Sequence, residues 1–578
     1  MSWRRPGGAR PGGAGPGGGL PGGAMPVAPV ASGHHDLGRH TTLMASGTAV
    51  SRVLGFVKAA LLGYAIGLTG NAANAFAVGN TLPNILYLLI AGGVLNAVLV
   101  PQVVRAYQRP GTDGDEYVNR LLTLGAALLA GLAAILTIAA PLLVTIYTDF
   151  GDPDLTGLAV LIAYWCLPQV LFYGLYSLIG QVLNARGSFG PLMWAPVVNN
   201  LVAMAGLGAY VAVYGGWASH PVLTDDPGAW SAGQVALLAG TATLGVVAQA
   251  VVLLIPLYRS GFRYRPRWGL RGAGLGRAGR VASWAFAGLV VGQLGILVVI
   301  RVASAVAAAA GSSVGLAGNA VYSYAFLVFM LPHSLVTVSL LTALFTGLSA
   351  KAAAGDVRAV RAELSFGLRT VGLFTVVAAA VIIVLAYPFA RVLQPSVPAQ
   401  DVAALATVIV AMLLGLPAFG AWSMAQRVFY AYEDARSMFP IQIVMALVVV
   451  AGSLLAQAVA PPQYWVAGAG LAMSVSYVVG AVVALMTLRR RLDGIGAGRI
   501  LRLYVRAGLA AAIAAAAGWV AVNRIGDLAG GGVGRSALVC VGVGLLMTGI
   551  YVGLLKLMRV GELDDLLRPL LRRVGRAA

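Results

Sequence analysis

The segment SRVLGFVKAALLGYAIG (51–67), followed closely by NAFAVGNTLPNILYLLIAGGVLNAVLVPQ (74–102), decides the fold. Both belong to apolar runs long enough to cross the roughly 30 Å of hydrocarbon in a bilayer, which takes about 20 apolar residues in a helix. The first holds two cations, Arg52 and Lys58, in an otherwise apolar setting, and the second holds Pro83. The alternation of apolar stretch and short polar link continues toward the C-terminus. Fourteen spans are predicted, at 43–69, 76–104, 121–147, 157–184, 191–214, 234–257, 281–304, 318–346, 367–390, 402–429, 438–460, 464–487, 502–522 and 536–557. The expected class is an all-α polytopic membrane protein. Residues 1–41, rich in Gly, Pro, Ala and Arg in their first 38 positions, read as a disordered tail with no signal-peptide pattern.

Composition agrees. Of 578 residues 59% are hydrophobic and 10% charged, too few charges to cover a soluble surface. The net charge of +20 invites a nucleic-acid reading. The cations, however, recur in short clusters between apolar runs rather than on one face or in one tail, so no nucleic-acid partner is expected. Cys166 and Cys540 fall inside apolar runs, where cysteine behaves as a small hydrophobe, and no disulfide is expected.

The same clusters orient the chain. If the N-terminus is cytoplasmic, the tails and every second link hold nearly all the Lys and Arg residues. The 258–280 link carries Arg259, Arg263, Arg265, Arg267, Arg271, Arg277 and Arg280, and the link after span 12 carries Arg489, Arg490, Arg491 and Arg499. Opposite links hold Arg391, Arg524 and Arg535 beside acids such as Asp149 and Asp152. Both termini are therefore expected in the cytoplasm, in a bacterial inner membrane.

An internal repeat underlies the pattern. Leu82-Pro83 and Leu331-Pro332, Leu167-Pro168 and Leu416-Pro417, and Pro191 and Pro440 all share an offset of 249 residues. Six spans per repeat leave both halves in the same orientation, related by an axis along the membrane normal with a cavity between them. The expected divisions are an N-lobe at 42–257, a basic cytoplasmic link at 258–280, a C-lobe at 281–487, two extra spans within 488–557, and a cytoplasmic tail at 558–578. Pro83 and Pro332, at matching positions, are candidate gating kinks, with Gly55 beside the span 1 cations.

Charges inside spans are costly, about 2.5–3.5 kcal/mol each near mid-membrane even on the lenient scale, and usually face a polar cavity. Arg52, Lys58 and Arg301 are the candidates, with Arg52 the strongest and Arg301, near the outer end of span 7, as readily explained by snorkelling. All 19 Asp and Glu residues fall in tails or links. A cavity with cations and no acid suits an anion, and arginine in particular suits a phosphate. Uncharged groups such as Ser51, Asn74, Asn80, Asn84, Asn199 and Asn200 could complete it. Without a phosphate-binding loop, a metal-spaced His/Cys set or paired carboxylates, no catalytic residue, metal or cofactor is expected, and the chain reads as a transporter rather than an enzyme.

The 51–67 and 74–102 blocks, with QVLNARGSFGPLMWAPVVNN (181–200) and YSYAFLVFMLPHSLVTVSLLTALFTGLS (322–349), resemble the MurJ (MviN) family of lipid II flippases, in the multidrug/oligosaccharidyl-lipid/polysaccharide exporter superfamily. The resemblance implies that Ser51 and Arg52 line a central cavity, that Lys58 replaces a second Arg, and that spans 13 and 14 form a groove for a polyprenyl tail. It implies a flippase for an anionic polyprenyl-pyrophosphate lipid, lipid II, working by alternating access among membrane lipids, beside proteins of cell-wall synthesis or division. The chain departs from the family at Ala59, Asn74 and Tyr87, where charges are expected, and at Phe326-Leu327 and Met330, where an Asp-Arg pair and a Glu are expected. An exporter of a different polyprenyl-pyrophosphate saccharide, or a non-transporting scaffold descended from a flippase, remain alternatives.

Cysteines placed at Ser260 and at Ser219 should label from opposite sides of intact cells. Labelling of both by an impermeant reagent would overturn the span count.

Overall fold

The computed structural model describes residues 34–90, 114–219, 226–269, 277–311, 315–528 and 532–563. In the first half the helices are α1 (His34–Ile66), α2 (Asn71–Ile90), α3 (Gly114–Ile138), α4 (Ala140–Tyr147), α5 (Pro153–Cys166), α6 (Gln169–Ala185), α7 (Gly190–Tyr214), α8 (Ala232–Val251) and α9 (Leu254–Arg259). The second half has α10 (Arg277–Ser304), α11 (Val306–Ala310), α12 (Asn319–Pro332), α13 (Val338–Ala353), α14 (Val357–Val384), α15 (Ala386–Leu393), α16 (Ala399–Leu413), α17 (Leu416–Ala431), α18 (Ala435–Val459) and α19 (Trp465–Arg491). Two more helices follow, α20 (Ala497–Leu528) and α21 (Val533–Leu557). No strand occurs among the described residues.

Among the described residues twelve helical stretches are long and apolar enough to cross a membrane, and α16 with α17, bent by 44° at their junction, makes a thirteenth as one broken span. The predicted span 76–104 begins in α2 and runs on outside the described residues. Two boundaries move most. His34–Thr41, assigned to the tail, is already helical, and α14 starts ten residues before the predicted 367. Charged residues mark the end of the hydrocarbon, not of the helix, and the extra turn of α14 is capped by the Asp356 side chain accepting from the Ala359 N–H at 2.9 Å. Residues 1–33 lie outside the described residues. Cys166 and Cys540 are free thiols.

The repeat reappears as matched packing. In the first half α1 packs on α7, α7 on α8, and α2 on α5. In the second, α10 packs on α18, α18 on α19, and α12 on α16. These are the first–fifth, fifth–sixth and second–fourth spans of each half, while α20 and α21 lie outside the pattern against α14 and α15. Lipid tails are as apolar as leucine, so association depends on close backbone approach through small residues. A Cβ on Gly452 would lie 2.5 Å from that of Ala472, and one on Gly468 2.4 Å from that of Ala456, so α18 and α19 meet backbone to backbone.

Each half also breaks its fourth span before a proline, which lacks an N–H and clashes with the preceding turn. The freed carbonyls need donors, since hydrocarbon supplies none. The Thr243 hydroxyl on α8 donates to the Trp165 carbonyl at 2.7 Å, beside Pro168. The Ser474 hydroxyl on α19 donates to the Ala411 and Met412 carbonyls at 2.7 and 2.9 Å, beside Pro417. A hydroxyl from the sixth span thus mends the fourth in both halves.

The α16–α17 break works only with Gly415, where an added Cβ would lie 2.6 Å from the Ser474 Cα. Backbone cannot swing aside, and overpacking of this kind costs about 1–3 kcal/mol. Gly415→Ala should lower the midpoint of thermal unfolding in detergent, whereas Gly208→Ala, with open space around it, should not. Equal midpoints would show that the break tolerates a side chain.

Candidate functional site

Between the halves lies a cavity of about 300 Å³. On α1 the lining positions Gly55, Lys58, Ala59, Leu62 and Ile66 follow the three- and four-residue spacing of one helical face. Phe76, Ala77, Asn80 and Thr81 come from α2, Gln169 and Tyr173 from α6, Asn199 from α7, Thr241 from α8, and Ser323, Tyr324 and Leu327 from α12. Lys58 is the one charged group among the lining residues. The wall beside it is apolar on Leu62, Ala77 and Leu327, and polar where α2 meets α6.

That polar wall is pre-set. The Gln169 amide donates to the Asn80 carbonyl oxygen at 3.3 Å and to the Thr243 hydroxyl at 2.9 Å, while the Tyr173 hydroxyl donates to Gln169 Oε1 at 3.3 Å. With Asn80 Oδ1 accepting, its Nδ2 donors are left over on a lining that also holds Thr81 and Lys58. Across the cavity the Asn199 amide donates to Gln249 Oε1 at 2.8 Å. A cation, several donors and no carboxylate make a surface that attracts an anion and fixes its orientation.

The structure brings Gly55, Lys58, Asn80 and Asn199 to this cavity and sets the other sequence-named residues around it. Arg52 is half-buried, about 9 Å along α1 from Lys58 at 1.5 Å per residue, outside the lining. Ser51 is held against α7, where the Asn200 amide donates to its carbonyl at 2.9 Å and its hydroxyl at 3.4 Å. Asn84 is exposed on α2 beyond the lining, and Pro83 is buried within α2, which continues through it as one helix. Pro332 ends α12, and a π-turn, His333–Thr337, follows before α13. Leu327, where the resemblance implies an arginine, lines the cavity.

Asn74 and Arg301 instead join the halves. Asn74 is buried, accepting from the Ala320 N–H at 3.1 Å. Arg301 reaches Asp149 at 3.3 Å and donates to the Thr145 and Ile146 carbonyls at 3.2 and 3.1 Å. Around them the Tyr324 hydroxyl and the Gln394 amide both donate to the Ala59 carbonyl at 3.1 Å, and the Gly315 N–H donates to the Thr69 hydroxyl at 3.0 Å. The Thr69 and Asn74 bonds lie where α1 ends and where α2 and α12 begin, closing the cavity at that end, and the Ala59 pair lies about two turns back along α1. The placement of every acid in a tail or link is corrected here. Asp401 sits in the first turn of α16, 5% exposed, hydrogen-bonded by the Thr69 hydroxyl. Its position one residue before the predicted span hid it.

Sequence reasoning missed Gln169, Tyr173, Ser323 and Tyr324. Gln169 had a signal, since it follows directly on the Leu167-Pro168 pair of the repeat.

The sequence profile described as "Lipid II flippase MurJ" matches residues 62–534. A probable lipid II flippase MurJ of Rhizobium tropici is 26% identical over 457 residues, covering 77% of this chain and 79% of that protein. The lipid II flippase MurJ of Burkholderia cenocepacia is 26% identical over 487 residues, 82% of this chain and 88% of that one. A solved lipid II flippase MurJ in an inward closed conformation superposes with a TM-score of 0.66 at 17% identity, over 88% of this chain and 98% of that chain. An inward-facing multidrug resistance MATE family transporter of the MOP superfamily gives 0.59 at 16% identity, over 78% and 94%. At such identities the two structures establish the fold, and the profile, spanning well over half of the sequence, establishes the family: this multi-span membrane chain belongs to the lipid II flippase MurJ family.

Proposed function

We propose that this protein carries lipid II from the inner to the outer leaflet of the bacterial inner membrane, by alternating access of the cavity between its halves. The observation that carries the reading is Lys58, a lone cation lining a cavity with no acid among its lining residues. A pyrophosphate seated there would meet the ammonium and the spare donors of Asn80 and Thr81, with its polyprenyl tail left in the bilayer. If the arginine-rich links are cytoplasmic, the hydrogen-bonded end of the cavity is the outer one. The conformation is then one that receives a headgroup from the cytoplasmic side. An inside-negative potential favours outward movement of an anion by about 2.3 kcal/mol per charge per 100 mV, a drive that needs no protein carboxylate.

The geometry reorders the candidates. Sequence ranked Arg52 first, but Lys58 has the cavity, while Arg52 stands about one and a half turns nearer the entrance, placed to meet the headgroup on its way in. Arg301, taken by Asp149 and two carbonyls, belongs to the seam.

Lys58→Ala should reduce transport about ten- to hundredfold, the equivalent of about 1.5–3 kcal/mol for a charged hydrogen bond, with normal protein abundance. Lys58→Arg should keep most activity and Arg52→Ala should fall between. The readout is lipid II accessibility at the outer leaflet in cells depleted of their own flippase. Full transport by Lys58→Ala would remove the anion cavity. Failure of the unmodified chain to rescue such cells would favour a different polyprenyl-pyrophosphate saccharide.

A further inference from the structure

The link that leaves α9 does not hang free. From Gly261 to Gly269 the chain is non-helical and lies along the start of α3. Phe262, 1% exposed, anchors it in a core with Val118, Leu122 and Leu183. Arg186 fastens its beginning by donating to the Ser260 carbonyl at 2.6 Å, while also paired with Asp115 at 2.5 Å. The Asn119 side chain then bridges two backbone groups, donating to the Arg263 carbonyl at 3.4 Å and accepting from the Arg265 N–H at 2.8 Å. One turn further into α3, Thr123 accepts from the Arg267 N–H at 3.1 Å and meets the Tyr264 hydroxyl at 3.0 Å. Five side chains thus hold nine residues that have no helix to form.

The pinning fixes what faces outward. Arg259, Arg263, Arg265 and Arg267 are exposed, as are Tyr258 (62%), Tyr264 (49%) and Trp268 (70%). Asn119 stands at the edge of the predicted span 121–147 and Thr123 lies inside it, so the strap descends along α3 by about one helical turn, some 6 Å, between Arg265 and Arg267. Trp268 follows the deeper of the two backbone pins, so it lies further along α3 toward the predicted span than Arg263 and Arg265. The Arg267 guanidinium turns back from that depth to Glu116, at 3.3 Å, as a snorkelling cation does. Arg263 lies over the Tyr258 ring at 3.6 Å, and the Arg265 guanidinium has no partner among the described residues.

From this arrangement we infer that the 258–269 strap is a binding site for the phosphate of anionic phospholipids in the leaflet beside it, with Trp268 seated at the interface and Arg263 and Arg265 at headgroup level. Tryptophan and tyrosine favour the headgroup boundary, and clustered cations next to a span are worth about 1 kcal/mol each against an anionic surface. An acidic protein or an RNA would meet the same charge. Neither accounts for an exposed tryptophan set next to the deeper backbone pin at Arg267, beyond Arg263 and Arg265.

The test uses the full chain, released from nanodiscs and titrated with phosphatidylglycerol or phosphatidylcholine, with bound lipid counted by native mass spectrometry. Wild type should retain phosphatidylglycerol at least about fivefold more than phosphatidylcholine, Arg263→Gln/Arg265→Gln should lose that preference, and Trp268→Ser should weaken it. The double variant Arg489→Gln/Arg490→Gln, with the same change of charge in another link, should behave as wild type. The backbone pins are untouched in all of these variants, and an unchanged unfolding midpoint confirms folding. Equal retention of the two lipids by wild type, equal losses in both double variants, or displacement of the lipid by inorganic phosphate or a short RNA at the same salt would each overturn the assignment.

Discussion

The constraint on which the rest of the structure depends is that a backbone N–H or C=O in hydrocarbon must find its partner inside the protein. A continuous helix meets it alone. A transporter cannot be built from continuous helices only, because bends have to exist where the halves surround a cavity. The chain meets the conflict with hydroxyls: Thr243 and Ser474, each on the sixth span of its half, mend the fourth-span breaks at Pro168 and Pro417. The first of these breaks also creates the site, because the helix that restarts after Pro168 begins with Gln169, whose amide orders the polar wall of the cavity.

The same solvent logic explains the sparse charge. A buried cation must be hydrated, paired, or left facing a polar space. Most arginines here are outside the problem, either at helix ends or paired, as Arg186 is with Asp115 and Arg301 with Asp149. Lys58 takes the third course. An acid beside it would have made a closed ion pair, indifferent to any ligand, so the apolar and amide neighbours are what keep the ammonium available. The family-typical charges absent at Ala59 and Leu327 are absent from the lining itself, which leaves a cavity with a single cation but a full set of neutral donors.

The fold was legible because its causes are local. A span declares itself by length and hydropathy, and matched Leu-Pro pairs announce matched bends, as the repeated pairing of α1 with α7 and α10 with α18 shows. The site was legible in part. A cation in an apolar run is conspicuous, so Lys58 and Gly55 could be named. Which face of α1 looks inward depends on packing with α2, α7 and α12, and no one-dimensional pattern carries that. Arg52 is as conspicuous as Lys58 but stands outside the lining. Asn74 looked like a ligand contact because a buried amide is the same residue whether its partner is a substrate or, as here, the Ala320 backbone. Asp401 escaped because it lies at a boundary, where hydropathy changes gradually and burial does not.

Lys58 and Ala59 are consecutive, and that adjacency joins the two tasks of the site. The Lys58 side chain faces the cavity, while the next carbonyl receives the Tyr324 hydroxyl from α12 and the Gln394 amide from the segment after α15. The turn of α1 that lines the cavity is therefore also a turn that joins the first half to the second. Gly63, one turn on, sits so close to Gln394 that a Cβ there would overlap its Oε1, so a glycine at this position lets Gln394 approach α1. Tyr324 tightens the link further, since it both lines the cavity and donates to Ala59. The cavity lining and the contact between the halves thus share one short stretch of α1 backbone, Lys58 and Ala59.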